Sequence, residues 1–202
     1  MTLRMLVFSD VHGDMGALNT IDLSKQKYDP DLFVMCGDIT HFGDLSWAVS
    51  FFEKINGDLI GVTGNCDPES IKKAYDSVGG DYLHHNIVSR KGIKFTGLSG
   101  SKYSEDSVKR FNKYANRADI FVLHSPPYGY LDKTNRGKHI GERSLLRVID
   151  KNEPLLVLSG HVHEDRGIIR DGPTSYVNPG AASENNLAIV EIDESKVKAK
   201  LI

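Results

Sequence analysis

The chain has 202 residues, 40% of them hydrophobic and 26% charged, a composition that can bury roughly 70% of the surface of its unfolded form. Its 25 Lys and Arg against 27 Asp and Glu leave a net charge of −2, so there is no global basic field for nucleic acid and no acidic field to repel an anionic substrate. The apolar runs are too short to span a bilayer, and two cysteines, Cys36 and Cys66, cannot build a disulfide framework, so a reduced cytoplasmic setting is expected.

In chain order, residues 3–9 (LRMLVFS) read as a strand that runs straight into Asp10, not as the hydrophobic part of a signal peptide. Residues 14–27 follow as a helix, 31–37 as a strand, and 44–55 as an amphipathic helix with Trp47, Phe51 and Phe52 at core spacing. A strand over 58–64 precedes a helix over 68–78, with Pro68 in its first turn and Gly79-Gly80 closing it. This βαβαβα rhythm predicts a parallel sheet covered by helices. The second half is richer in extended runs, at 82–90, 93–100, 119–125, 154–160, 166–171, 174–180, 187–193 and 196–202, with helical patterns only near 104–117 and 141–151. That mixture predicts an α/β fold of two packed sheets with helices outside, in a single domain over residues 1–202.

Chemistry gathers where the apolar runs stop. After the first come Asp10 and His12, after the second Asp38, and after the third Asn65, Cys66 and Asp67. His124 ends the run at 119–123, and His161 and His163 follow the run at 154–158. In α/β sheets the loops beyond the carboxyl ends of strands share one edge, where ligands bind. Four imidazoles, two or three carboxylates and one carboxamide are too many for one ion and suit two. Such nitrogen and oxygen donors favour manganese, iron, zinc or nickel. Residues i and i+2 of an extended segment point to one side. His161 and His163, like Asp10 and His12, are therefore expected to reach inward as pairs while Val162 and Val11 pack away. Glycines before Asp38, Asn65 and His161 suit close backbone approach.

The series Asp-x-His, Gly-Asp, Gly-Asn-x-Asp, a lone strand-ending His and Gly-His-x-His, in this order from Asp10 to His163, resembles the calcineurin-like metallophosphoesterase family. The resemblance implies a four-layer α/β/β/α sandwich of two mixed sheets flanked by helices. It also implies a dinuclear centre, with manganese the favoured metal. Asp10, His12, Asp38 and His163 would hold one ion. Asp38, Asn65, His124 and His161 would hold the other, with Asp38 bridging. The implied activity is hydrolysis of a small phosphoester by a hydroxide bound to two divalent metal ions, with phosphodiesters favoured over monoesters and a nucleotide as one candidate substrate.

The family's asparagine motif commonly reads Gly-Asn-His-Asp, whereas position 66 here is Cys, as in a branch of small phosphodiesterases that this chain also resembles. A thiol is a weak, largely neutral donor at pH 7, so esters with acidic leaving groups are expected to be preferred. His41 is a candidate substitute acid or else an ordinary loop histidine. Asp67 is either the motif partner of position 66 or a cap for the helix starting at Pro68, and Asp14 and Asp44 read as caps. Lys133, Arg136, Lys138, His139 and Arg143 lie in a Pro/Gly-rich segment after His124 that is either a phosphate-contacting loop or a solvated one. His84 and His85 read as structural residues on a strand, Cys36 as core filler, and Asn178 as a turn residue or a support for the site. The competing function is a catalytically weak metal- or nucleotide-binding regulatory or scaffolding module. A structural zinc domain would favour cysteine-rich ligands, and a nuclease would favour a basic stripe. A homo-oligomer is compatible with this reading.

Overall fold

The computed structural model describes residues 2–202. Its strands form two six-stranded mixed sheets, ordered β12-β11-β1-β2-β3-β4 and β5-β6-β7-β8-β10-β9. In the first, β1 (Leu3–Phe8), β2 (Leu32–Cys36), β3 (Leu59–Val62) and the short β4 (Asp81–Tyr82) run parallel. The strands β11 (Ala188–Asp193) and β12 (Lys196–Leu201) extend this sheet antiparallel from β1. In the second, β6 (Ile93–Leu98), β7 (Ile120–Leu123), β8 (Leu156–Leu158) and β10 (Thr174–Asn178) are parallel. The antiparallel strands β5 (Ile87–Arg90) and β9 (Gly167–Asp171) close its two edges.

Side-chain alternation along the strands builds the layers. On β1, Leu6 and Phe8 pack with Phe33, Phe51, Phe52 and Tyr75 beneath α1 (Ala17–Tyr28), α2 (Leu45–Ile55) and α3 (Lys72–Ser77). Their neighbours Met5 and Val7 face the other way, into a core between the sheets that contains Val34, Cys36, Ile60, Phe95, Val122, Leu158 and Val177. A third cluster, with Phe111, Phe121, Leu145 and Ile149, packs α4 (Glu105–Ala115) and α5 (Arg143–Asn152) onto the far face of the second sheet. The result is the α/β/β/α sandwich. Trp47 stacks on Phe51 with ring centroids 5.2 Å apart, as the helical spacing predicts. Asp44 caps α2 by accepting the Trp47 N–H, whereas Asp14 caps only the preceding turn, through the Gly16 N–H.

Two expectations are corrected. The extended run at 82–90 is not one strand. It leaves the first sheet after Tyr82, crosses over at His84 and a left-handed His85 (φ 53°), and enters the second sheet at Ile87. The helix expected over 68–78 is a 3-10 turn (Glu69–Ile71) followed by the short α3. Pro68 sits before that turn in an extended conformation with ψ 151°.

Candidate metal centre

The loops after β1, β2, β3, β7 and β8 converge on one edge of the sandwich. Two groups of ligand-type side chains form there, Asp10 with His12 and His163, and Asp38 with His124 and His161. Within each group one ligand atom per residue lies within 4.8 Å of the others.

The two carboxylates are set in the same manner. Asp10 Oδ2 accepts the His161 backbone N–H at 3.0 Å, which leaves Oδ1 facing His163 Nε2 at 3.1 Å and His12 Nε2 at 3.7 Å. Asp38 Oδ1 accepts the Cys66 N–H at 2.7 Å, which leaves Oδ2 facing His124 Nε2 at 3.4 Å and His12 Nε2 at 4.0 Å. Asp38 therefore reaches toward both groups. His124 is fully buried and its Nδ1–H donates to the Cys36 carbonyl at 2.9 Å, fixing the tautomer that turns Nε2 toward Asp38 and toward Asn65 Oδ1 at 3.1 Å.

These residues fit divalent ions. The inward Oδ1 of Asp10 is buried without an aligned hydrogen-bond partner, and His12 Nε2 and His163 Nε2 face each other at 3.3 Å. Orphaned atoms of this kind are costly unless a cation meets them. Burial works to raise the Asp10 carboxyl, but neighbouring His163 and His124 bring it below the usual carboxylate range. Burial likewise opposes ionisation of Asp38, yet the His124 imidazole and the Cys66 N–H bring it down to about 2. His124, despite its burial, is pushed up to about 9 by Asp38 and Asp10. His161 is lowered by burial and by the neighbouring His124.

The expectation that i and i+2 pairs sit on extended backbone is overturned. β1 ends at Phe8 and β8 at Leu158, and Asp10 (φ 56°), His12 (φ 50°), Asp38 (φ 52°) and His161 (φ 68°) are all left-handed. The sharp turns send His161 to the Asp38 group and His163 to the Asp10 group, with Val162 buried between them. Glycine is required behind two of these turns. A Cβ on Gly64 would overlap Asp38 Oδ1, and one on Gly160 would overlap Ser9 Oγ and lie 2.5 Å from Asp10 Oδ2.

Asp67 does not cap a helix, since the turn after Pro68 has no side-chain cap. Its carboxylate accepts the N–H groups of Ile39, Thr40 and Gly64 at 3.1, 2.8 and 2.9 Å and the Thr40 hydroxyl at 3.0 Å. It ties the Asp38 loop to the Asn65 loop. Cys66 is a free, partly buried thiol pushed up to about 12 by burial and by Asp38, and it is therefore neutral. His41 is exposed on the rim, its ring edge-on to His12 at 5.7 Å.

The segment after His124 folds as a hairpin, with Lys133 bridged to His139. The Lys133 N–H donates to Asp165 and the Asn135 N–H to Glu164, which docks the hairpin beside His163. Lys133, Arg136 and Lys138 are exposed, His139 pairs with buried Asp132 at 2.5 Å, and the Arg143 guanidinium lies 3.5 Å from the Tyr128 ring centroid. Sequence reasoning missed Asp132, Glu164 and Asp165 as anchors, because isolated acidic residues in polar loops carry no pattern. Asn178 supports the site. Fully buried, it donates from Nδ2 to the Val162 carbonyl at 2.7 Å, between the two imidazoles. His84 is structural, its Nδ1 accepting the Ser99 N–H at 3.0 Å. Among the described residues no helix is long and apolar enough to cross a membrane.

An uncharacterized protein of Methanocaldococcus jannaschii is 28% identical over 200 residues, covering 90% of this chain and 89% of its own. A dimetal phosphatase from Danio rerio superposes with a TM-score of 0.73 at 12% identity, over 98% of this chain and 95% of that one. An archaeal phosphodiesterase superposes with a TM-score of 0.64 at 16% identity, over 99% and 100% of the two chains. At such identities these two structures establish the fold alone. The profile described as calcineurin-like phosphoesterase matches residues 3–165, which contain both ligand groups. The chain belongs to the calcineurin-like phosphoesterase family.

Proposed function

We propose that the protein is a metal-dependent phosphodiesterase with a dinuclear centre. Asp10, His12 and His163 would hold one ion, Asp38, Asn65, His124 and His161 the other, with Asp38 shared between the two groups. The observation that carries this reading is the pair of ligand groups in one mouth, with Asp38 Oδ2 3.4 Å from His124 of its own group and 4.0 Å from His12 of the other. When bound, two divalent ions lower the pKa of water toward neutrality and neutralise phosphoryl charge. Manganese is the metal we favour, since the two carboxylates and the carboxamide of Asn65 supply hard oxygen donors beside the imidazoles.

The chain's own residues orient and exclude. Backbone N–H groups of His161 and Cys66 each occupy one carboxylate oxygen, so that the other points inward. The Cys36 carbonyl holds the His124 ring. Protonation of the leaving alkoxide would be weakly served, because the thiol of Cys66 is a poor donor, and His41 on the rim is our candidate to replace it. The substrate we infer is a small phosphoester with an acidic leaving group, a nucleotide among the candidates, and Lys133, Arg136, Lys138 and His139 on the docked hairpin would meet its anionic parts.

Chelated protein should regain turnover of bis-p-nitrophenyl phosphate on addition of manganese, faster than turnover of the monoester, with two metal equivalents bound. Absence of metal-dependent turnover would refute the enzymatic reading. The neutrality of Cys66 favours one alternative, a weakly catalytic nucleotide-binding module, which would show tight metal-dependent nucleotide binding without hydrolysis.

A further inference from the structure

Beside the two groups already described lies a third. One ligand atom each of His12, His41 and Cys66 lies within 4.8 Å of the others, at the rim of the same mouth. This cluster is built from three loops, and the two that carry His41 and Cys66 are locked together on both sides of His41. The Thr40 N–H is held by Asp67 at 2.8 Å, and the Phe42 N–H donates to the Cys66 carbonyl at 2.8 Å. Phe42 takes a left-handed conformation (φ 54°) to make that bond, so the backbone presenting His41 to Cys66 is specified in detail. The donor set also differs from those of its neighbours. It has two imidazoles, one thiol and no carboxylate, a combination suited to zinc, cadmium or other thiophilic ions and poorly suited to manganese or magnesium.

We propose that His41, Cys66 and His12 form a third cation site that takes thiophilic divalent ions and that, when filled, withdraws His12 from Asp10 and His163, shutting the enzyme off. This rests on reading Asp10, His12 and His163 as a metal group. Zinc bonds of about 2.0–2.3 Å place tetrahedral ligand atoms roughly 3.5 Å apart, so atoms that already lie within 4.8 Å of one another need close by no more than about 1 Å. The exposed His41 and the partly buried His12 share that movement, and it is the turn of the His12 ring that takes it from Asp10 and His163. As the sulfur–metal bond forms, the S–H bond breaks and its proton leaves to solvent, with no change of oxidation state. The substitution of Cys for His at position 66 thus has a consequence besides a weaker acid: it makes the centre sensitive to soft metals.

Manganese-loaded protein titrated with cadmium tests this. The ultraviolet absorption of a cadmium–thiolate bond should appear and saturate at a single added equivalent, while turnover of bis-p-nitrophenyl phosphate falls in parallel. Cys36, the other cysteine, is fully buried between the sheets and cannot supply the signal. The near-isosteric Cys66→Ser should abolish the band, and cadmium should then inhibit roughly a hundredfold less well. His41→Ala should keep the band but weaken cadmium binding by about tenfold or more. Loss of turnover without a band, a band that survives Cys66→Ser, or equal cadmium affinity in His41→Ala would each overturn the site. A band dependent on both residues in protein that never hydrolyses phosphodiesters would leave the site standing and sink the phosphodiesterase reading instead.

Discussion

Removing the Asp67 carboxylate should loosen the candidate metal centre without touching any proposed ligand. Asp67→Ala strips the acceptor from three backbone N–H groups, those of Ile39, Thr40 and Gly64, and from the Thr40 hydroxyl, at distances between 2.8 and 3.1 Å. The three residues that lose it are buried. A buried donor without an acceptor costs about 1–3 kcal/mol, and water entering from the partly exposed side of Asp67 recovers some of that, so the net loss should be about 3–5 kcal/mol. For a chain of this size each kcal/mol moves Tm by about 2–4 °C, which predicts a fall of roughly 6–20 °C. Asp67→Asn keeps one acceptor oxygen but turns an amide N–H₂ toward a donor, and should lose about half as much. Thermal unfolding followed by circular dichroism in excess chelator measures the clasp, and calorimetric manganese titration measures its effect on the ligand loops. If Asp67→Ala melts within about 2 °C of the parent and binds manganese equally well, the clasp is not structural. If stability and metal affinity hold while turnover collapses, Asp67 acts on the substrate.

Other outcomes follow from the same geometry. Gly160→Ala drives a methyl group against Ser9 and Asp10, and calorimetry should find manganese affinity reduced by roughly 10–100-fold. Asn178→Ala leaves the Gly180 N–H without its acceptor and takes from the Val162 carbonyl the nearer of its two donors, the Asp165 N–H remaining, and should lower unfolding free energy by about 1–3 kcal/mol in urea titrations. Burial holds His84 down to about 4, so between pH 6.5 and 4 the unfolded chain takes up a proton that the folded one refuses. Stability contributed there is full above pH 6.5 and is lost as pH falls toward 4, by about 1–2 kcal/mol after allowing for solvent screening. His84→Asn keeps an acceptor for the Ser99 N–H and does not titrate. Its urea midpoints at pH 5 and pH 7 should differ less than the parent's. Cys66→His should raise turnover of alkyl phosphodiesters about tenfold or more relative to aryl ones, as leaving-group dependence measured over a series of esters would reveal.

The layers and the location of the mouth were legible in the sequence. Leu6 and Phe8 alternate with Met5 and Val7, and five of the apolar runs stop at residues that can bind a metal, so those strand ends could be found by inspection. What stayed hidden was long-range or conformational. The crossover at His84 and His85 looks extended, because β4 and β5 are both strands and only their partners differ. Asp67 and Asn178 act on loops 16–28 residues away, and no local pattern distinguishes them from turn residues. The backbone bends at Asp10 and His161 were missed because spacing alone suggests a straight segment.

Those bends reach beyond this molecule. Asp10, His12, Asp38 and His161 take up a backbone shape that non-glycine residues adopt at a cost of about 1 kcal/mol or more each. The sandwich therefore holds these four side chains on strained turns whether or not an ion is bound. A designer who copies the same side chains onto ordinary straight strands of another scaffold would obtain the donors without their aim, and a faithful transplant must carry the turns themselves.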